Sequence, residues 1–172
     1  KVANIVKKKS SEGNEIIVVV SAMSGVTDEL KAKSDLISKN FDNKELDVLL
    51  SSGEQASCSL LSGALIDLGV KARSWLGWQI PIITNDNYTS SQIMKIKTDE
   101  ILTFISEGGI AVIAGFQGIS KENRITTLGR GGSDLSAVAI AKFFKTDSCE
   151  IYTDVEGVLT TDPSINEKAK KI

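Results

Sequence analysis

Apolar positions along this chain alternate between helical spacing and short unbroken runs, two patterns with different structural meanings. Lys1–Lys9 carries Val2, Ile5 and Val6 at helical spacing and reads as the end of a helix. A polar turn, Ser10–Asn14, then leads into Glu15–Val20, a β-branched run suited to a buried strand. After the small residues Ser21–Gly25 the spacing predicts a helix over Asp28–Ser38, a short one over Lys44–Leu50 and a longer one over Gln55–Leu68. Gly69 is well placed to end that last helix in a left-handed conformation.

Lys71–Trp75 and Pro81–Thr84 read as strands, Asn85–Ser91 as a surface loop, and Ile93–Glu107 as helical up to Gly108-Gly109. Ile110–Gly115 has the composition of a fully buried strand, Ser120–Arg124 resembles a hairpin tip, and Ile125–Leu128 is a short extended piece. A helix over Ser136–Phe144, a strand over Cys149–Tyr152 and a charged helical start at Glu167–Ile172 complete the pattern. Buried strands alternating with helices predict an α/β fold with a mostly parallel sheet. No internal repeat or long linker interrupts it. Because the chain opens within a helical pattern, a preceding segment is expected.

At 172 residues the chain is one ordinary domain or most of a larger one. Hydrophobic residues make up 41% and charged residues 24%, which suggests neither disorder nor a membrane protein. The apolar runs Ile16–Val20 and Ile110–Ala114 are far too short to span a bilayer, and no signal-peptide pattern opens the chain. A net charge of −2 argues against a broad nucleic-acid surface. Cys58 and Cys149 form no CxxC pair and read as small buried residues of a reduced cytoplasmic protein. Histidine is absent, which removes Ser-His-Asp and Cys-His chemistry and the usual zinc sites. Catalysis must then rest on carboxylates, basic groups, backbone amides and a metal ion carried by a ligand, with no metal site of the protein's own expected.

The strongest chemical signal is Gly129-Arg130-Gly131-Gly132-Ser133-Asp134, directly before a helix. Glycines let the backbone approach a ligand closely, the helix N-terminus favours an anion, and Arg130 offers a planar fork for a carboxylate. A simple turn capped by Ser133 or Asp134 would explain Asp134 and one glycine, but not an arginine among three glycines. Ser21-Ala22-Met23-Ser24-Gly25-Val26-Thr27-Asp28 lies beyond the carboxyl end of a buried strand, where open α/β sheets bind ligands. It is equally well a strand-to-helix turn capped by Thr27 or Asp28. In Ser51-Ser52-Gly53-Glu54 the carboxylate of Glu54 is placed at a helix start, either as a favourable charge there or as the partner of a substrate ammonium. Tyr152–Val158 and Thr160-Thr161-Asp162-Pro163 form a polar loop able to hydrogen-bond a nucleotide, or an ordinary loop rich in turn formers. GxxxxGK[ST], HRD and DFG are all absent.

In this order the motifs resemble the aspartate kinase branch of the amino acid kinase superfamily. The matching stretches are Val18–Asp28, Ser51–Gln55, Leu76–Gln79, Ala114–Gly118, Thr127–Asp134 and Glu150–Val158. The resemblance implies a three-layer αβα sandwich that phosphorylates the side-chain carboxylate of L-aspartate with ATP, at the head of lysine, methionine and threonine synthesis. It implies a cytoplasmic homodimer, with Mg²⁺ carried on ATP. By position, Arg130 would hold the substrate α-carboxylate and Glu54 its ammonium. Ser21 and Thr27 would lie near the reacting carboxylate, with Gly131, Gly132 and Ser133 also lining the substrate site. Asp134 would be the catalytic aspartate, and Thr153, Asp154, Leu159, Thr160, Thr161, Asp162 and Pro163 would contact the nucleotide. The acceptor is already ionised near neutral pH and needs no base, so alignment and charge neutralisation suffice.

Several positions depart from the family pattern. Its opening strand ending in Lys-Phe-Gly-Gly is not in this sequence, nor are the regulatory ACT domains usually found downstream. The expectation is therefore of a partial catalytic domain, nearly inactive by itself. Leu159 stands where the family has tyrosine and Ser164 where it has arginine, both expected to weaken nucleotide contacts; Leu135-Ser136 replaces Thr-Thr and is expected to be tolerated. Kinases of the same superfamily acting on N-acetylglutamate, glutamate, carbamate or UMP fit less well, because Glu54 and Arg130 suit a substrate bearing both ammonium and carboxylate. A non-catalytic domain that binds ligand or a partner is the alternative from another class.

Overall fold

The computed structural model describes residues 1–153. Twelve elements follow in order: α1 (Val2–Ser11), β1 (Ile17–Val20), α2 (Val26–Ile37), α3 (Asn43–Asp67), β2 (Ala72–Trp75), β3 (Ile82–Thr84), β4 (Ile93–Ile96), α4 (Asp99–Ser106), β5 (Ile110–Ala114), β6 (Gln117–Ile119), β7 (Ile125–Thr127) and α5 (Gly132–Phe144). β1, β5 and β2 form a parallel sheet with β5 in the middle, in register from Ile17 opposite Ala111 to Val20 opposite Ala114.

All five residues of β5 are buried, so both faces of this sheet are covered. The alternation of side chains along a strand splits them. Ile110, Val112 and Ala114 join Ala3, Val6, Cys58 and Leu65 of α1 and α3, whereas Ala111 and Ile113 join Ile101, Ile105 and Ile140 of α4 and α5. Helices on two sides of one sheet make the three-layer α/β/α arrangement that the family resemblance implies, on the parallel α/β plan that the alternating pattern predicts.

The second sheet, in the order β4-β3-β6-β7, is mixed: only the β3–β6 pair is parallel, and both outer pairs are antiparallel. Here the expectation of a mostly parallel sheet fails locally, because β6 and β7 are joined by a tight hairpin that cannot give parallel strands. From β5 the chain passes directly into β6 of the second sheet through Gly115-Phe116. Phe116 has a left-handed backbone, φ 65°, which costs a non-glycine residue roughly 1–2 kcal/mol. Its N–H donates to Ser136 Oγ at 2.9 Å and its carbonyl accepts from Leu128 N–H at 2.9 Å.

Four sequence expectations are corrected. Lys44–Leu50 and Gln55–Leu68 are one 25-residue helix, so Glu54 sits in mid-helix rather than at a helix start. Ile93–Glu107 divides into β4 and α4, since Ile93 and Ile96 pair with Thr84 and Ile82. Cys149–Tyr152 forms neither helix nor strand and Cys149 is exposed; Glu150 is instead held by Lys9 of α1 at 2.8 Å. On α1 it is Ala3 and Val6 that are buried, with Val2 and Ile5 exposed. The expected helix at Glu167–Ile172 lies outside the described residues. No helix among the described residues is long and apolar enough to cross a membrane.

Candidate active site

Parallel neighbours β1 and β5 deliver their carboxyl ends to one edge of the sheet, and three segments converge there. The first is the loop Ser21–Gly25 after β1. It turns into α2 through Gly25, at φ 80°, with no side-chain cap; the predicted caps Thr27 and Asp28 do not serve. The second is the turn into α5, capped by Gly131 at φ 71° and again without a side-chain cap, so neither Ser133 nor Asp134 serves. The third is the middle of α3.

The segments touch at glycines. A Cβ on Gly53 would stand 2.9 Å from that of Ala22, so α3 can approach the first loop only without a side chain there. A Cβ on Gly115 would lie 3.0 Å from the Val20 carbonyl and 3.1 Å from Ser133 Cα, seating the start of α5 on the ends of β1 and β5. Glu54 is nearly inaccessible at 3% exposure. Its Oε1 accepts from Ala22 N–H at 3.0 Å, while Oε2 is buried without a partner among the described residues. Burial pushes this carboxyl above the ordinary glutamate range, a rise partly opposed by the Ala22 hydrogen bond.

Ser21 and Asp134 line one open groove of about 600 Å³ with Thr153, Tyr152, Ile151 and the start of α1. Thr27 is half-buried in the first turn of α2. Arg130 is exposed, and its guanidinium has no hydrogen-bond or ion-pair partner among the described residues. At the two helix starts, the N–H groups of Thr27, Asp28, Ser133 and Asp134 find no acceptor among the described residues, which leaves donors free for an anion. Thus Ser21, Asp134 and Thr153 share the groove, whereas Gly131, Gly132 and Ser133 precede Asp134 at the start of α5 and Glu54 meets the Ser21–Gly25 loop at Ala22 N–H, none of these four lining the groove. Asp154, Leu159, Thr160, Thr161, Asp162 and Pro163 lie outside the described residues. A hollow of about 310 Å³ between Arg73, Trp75 and Phe104 holds none of the predicted residues.

One buried carboxylate escaped the sequence reading. Asp47, fully buried in α3, accepts from Thr89 N–H at 3.0 Å, from Thr127 N–H at 2.9 Å and from Thr127 Oγ1 at 2.6 Å. Burial raises its pKa against the pull of these bonds. No sequence signal marks it, since its partners are 42 and 80 residues away.

The direction of the Glu54 shift makes a test. A carboxyl whose native pKa is raised favours folding fully below its unfolded value, about 4.3, and that contribution is lost as pH rises through the native value. Glu54→Gln is therefore expected to melt above the parent protein at pH 7 to 8, with the gap closing toward pH 4. Thermal melts across that range check this, and a less stable variant at pH 7 contradicts it.

A model of the amino acid kinase family matches residues 1–172. Among curated proteins, the aspartokinase of Rickettsia conorii is 49% identical over 175 residues, covering all of this chain and 44% of that protein. Aspartate kinase from Synechocystis superposes with a TM-score of 0.77 at 45% identity, over 98% of this chain and 28% of the other. E. coli aspartokinase III in complex with aspartate and ADP gives 0.79 at 25% identity, over 99% and 48%. The chain spans under half the length of the curated relatives it matches.

Proposed function

This chain belongs to the amino acid kinase family, and from that premise we propose that the protein transfers the γ-phosphoryl group of ATP to the side-chain carboxylate of L-aspartate. The observation that carries the reading is Glu54: a buried carboxylate with one oxygen unpartnered among the described residues, bonded to the loop that follows β1. A charge left half-satisfied there is costly unless a cation completes it, and a substrate ammonium is such a cation. Arg130, exposed and without a partner among the described residues, holds the α-carboxylate at the other end of the same small molecule. Together they select an α-amino acid over an N-acylated one.

Between them, Ser21 and Thr27 flank the reacting carboxylate. The free N–H groups of Ser133 and Asp134, with the bare backbone of Gly131 and Gly132, receive charged oxygens. Asp134 serves as the catalytic aspartate of the groove, orienting substrate, with Thr153 on the nucleotide side. The donor set fits ATP with Mg²⁺: free amides suit phosphate, and Asp134 is the one carboxylate among the described groove residues, as suits an ion held mainly by phosphate and water. That ion would neutralise phosphate charge. Asp154 and Leu159–Pro163 complete the nucleotide contacts. The assembly is a homodimer, the commonest symmetric form, and free Cys58 and Cys149 suit the cytoplasm.

Hydroxylamine trapping of acyl phosphate by the full-length protein, with ATP and Mg²⁺, tests the reaction. Hydroxamate is expected with aspartate and not with N-acetylglutamate or glutamate. None from folded protein would sink the assignment and favour a domain that only binds ligand. In the same assay Glu54→Gln is expected to raise KM for aspartate about 10- to 100-fold, the worth of one charge-assisted hydrogen bond, with KM for ATP unchanged.

A further inference from the structure

We infer that Asp47 is a positioning residue that fixes the Arg130 loop at a set distance from Glu54, so that α3 acts as a spacer between the two ends of the amino-acid substrate. The substrate part of this inference rests on the function proposed above; the positioning part does not.

Asp47 and Glu54 are seven residues apart on one unbroken helix. Two helical turns return to the same face with a rise of about 10 Å, and both residues are buried on it. Glu54 reaches the loop after β1 through Ala22. Asp47 reaches two other segments. Its carboxylate takes both the N–H and the hydroxyl of Thr127, the last residue of β7 and only three before Arg130. It also takes the N–H of Thr89, which is held in a left-handed conformation at φ 67°.

These two segments are themselves in contact. Ser91 N–H and Oγ both donate to the Thr127 carbonyl, at 2.8 and 2.9 Å, and a Cβ on Gly129 would lie 3.1 Å from the Thr89 carbonyl. Gly129 at φ 77° then launches Arg130 from this braced platform. A charged carboxylate accepting from two backbone N–H groups and a hydroxyl leaves little freedom at β7's end. The middle of the helix is tied down too: Gln117 Nε2 of β6 donates to the Ser51 carbonyl at 3.1 Å. Ammonium acceptor and arginine loop are therefore both referenced to one rigid element.

Asp47→Asn keeps the side-chain shape but puts an amide N–H₂ where an acceptor is needed. In the full-length protein it is expected to raise KM for aspartate about 10- to 100-fold, the effect of a displaced binding group, with KM for ATP unchanged. In an Arg130→Ala background the same change should add less than about 2-fold, since coupled residues are not additive. Hydrogen exchange should quicken in 127–132 and 88–91 while α1 and β5 keep their protection. If the variant does not fold, Thr127→Val removes only the hydroxyl bond and should move the same readouts less far. Additive losses, equal rises in both KM values, or unchanged exchange at 127–132 would overturn the inference. If the parent protein never phosphorylates aspartate, the function proposed above fails while the exchange result still decides whether Asp47 holds the loop.

Discussion

Replacing Arg130 by alanine is expected to lower kcat/KM for aspartate by about 100- to 1,000-fold and to leave the melting temperature within about 2 °C of the parent. The two halves of this result have different causes. Once bound substrate covers the guanidinium, removing one partner of its pair with a carboxylate costs roughly 2–5 kcal/mol, and the loss falls on substrate binding and alignment. Stability is untouched because Arg130 is exposed and bonded to nothing among the described residues, and surface changes of that kind usually stay within about 0.5 kcal/mol. Arg130→Lys should fall between, keeping the charge but losing the planar fork. Hydroxamate assays with aspartate, run beside thermal melts, read both halves. A large fall in melting temperature with kcat/KM intact would reverse the assignment of Arg130 from ligand binding to folding.

The opposite profile is expected at Trp75. This indole is 1% exposed, meets Phe104 edge-on with centroids 6.0 Å apart, and lies under the Arg73 guanidinium at 3.8 Å. It fills the layer between the parallel sheet and α4, next to Ile101 and Ile105. Trp75→Ala is expected to cost about 3–5 kcal/mol through lost transfer energy and the cavity left behind, a fall of roughly 6–20 °C for a chain of this size. Its N–H has no acceptor among the described residues, so Trp75→Phe removes an unpaired polar group along with volume and should cost much less. Circular dichroism melts check both variants. An alanine variant as stable as the phenylalanine one would show that this layer collapses without a cavity.

Strand and helix placement was largely readable wherever one residue pattern matched one environment. Ile110–Gly115 is apolar throughout because β5 is covered on both faces, and Gly69 ends its helix at φ 77° as its position suggested. Reading failed where tertiary contact overrode local preference. Ser51-Ser52-Gly53 looks like a break, yet α3 runs through it, because Gly53 is demanded by the approach of Ala22 and not by a turn. Ile93, Ile96, Ile101 and Phe104 fall at near-helical spacing, but the first two face strand partners. The motif segments around Ser21 and Arg130 were visible because loops of small residues at strand ends have few structural reasons to exist. Asp47 was invisible for the converse reason: a lone aspartate in a helix carries no local mark of the distant amides it holds.

The junction at Phe116 constrains which sequences can occupy this fold. Glycine there would relieve the left-handed backbone, yet the Phe116 ring occupies the space a Cβ on Gly132 would enter, 2.5 Å from its Cδ2. Removing the ring opens room at the start of α5; enlarging Gly132 requires the ring to leave. The two positions are therefore coupled in order: a larger residue at 132 fits only after the ring at 116 has been replaced.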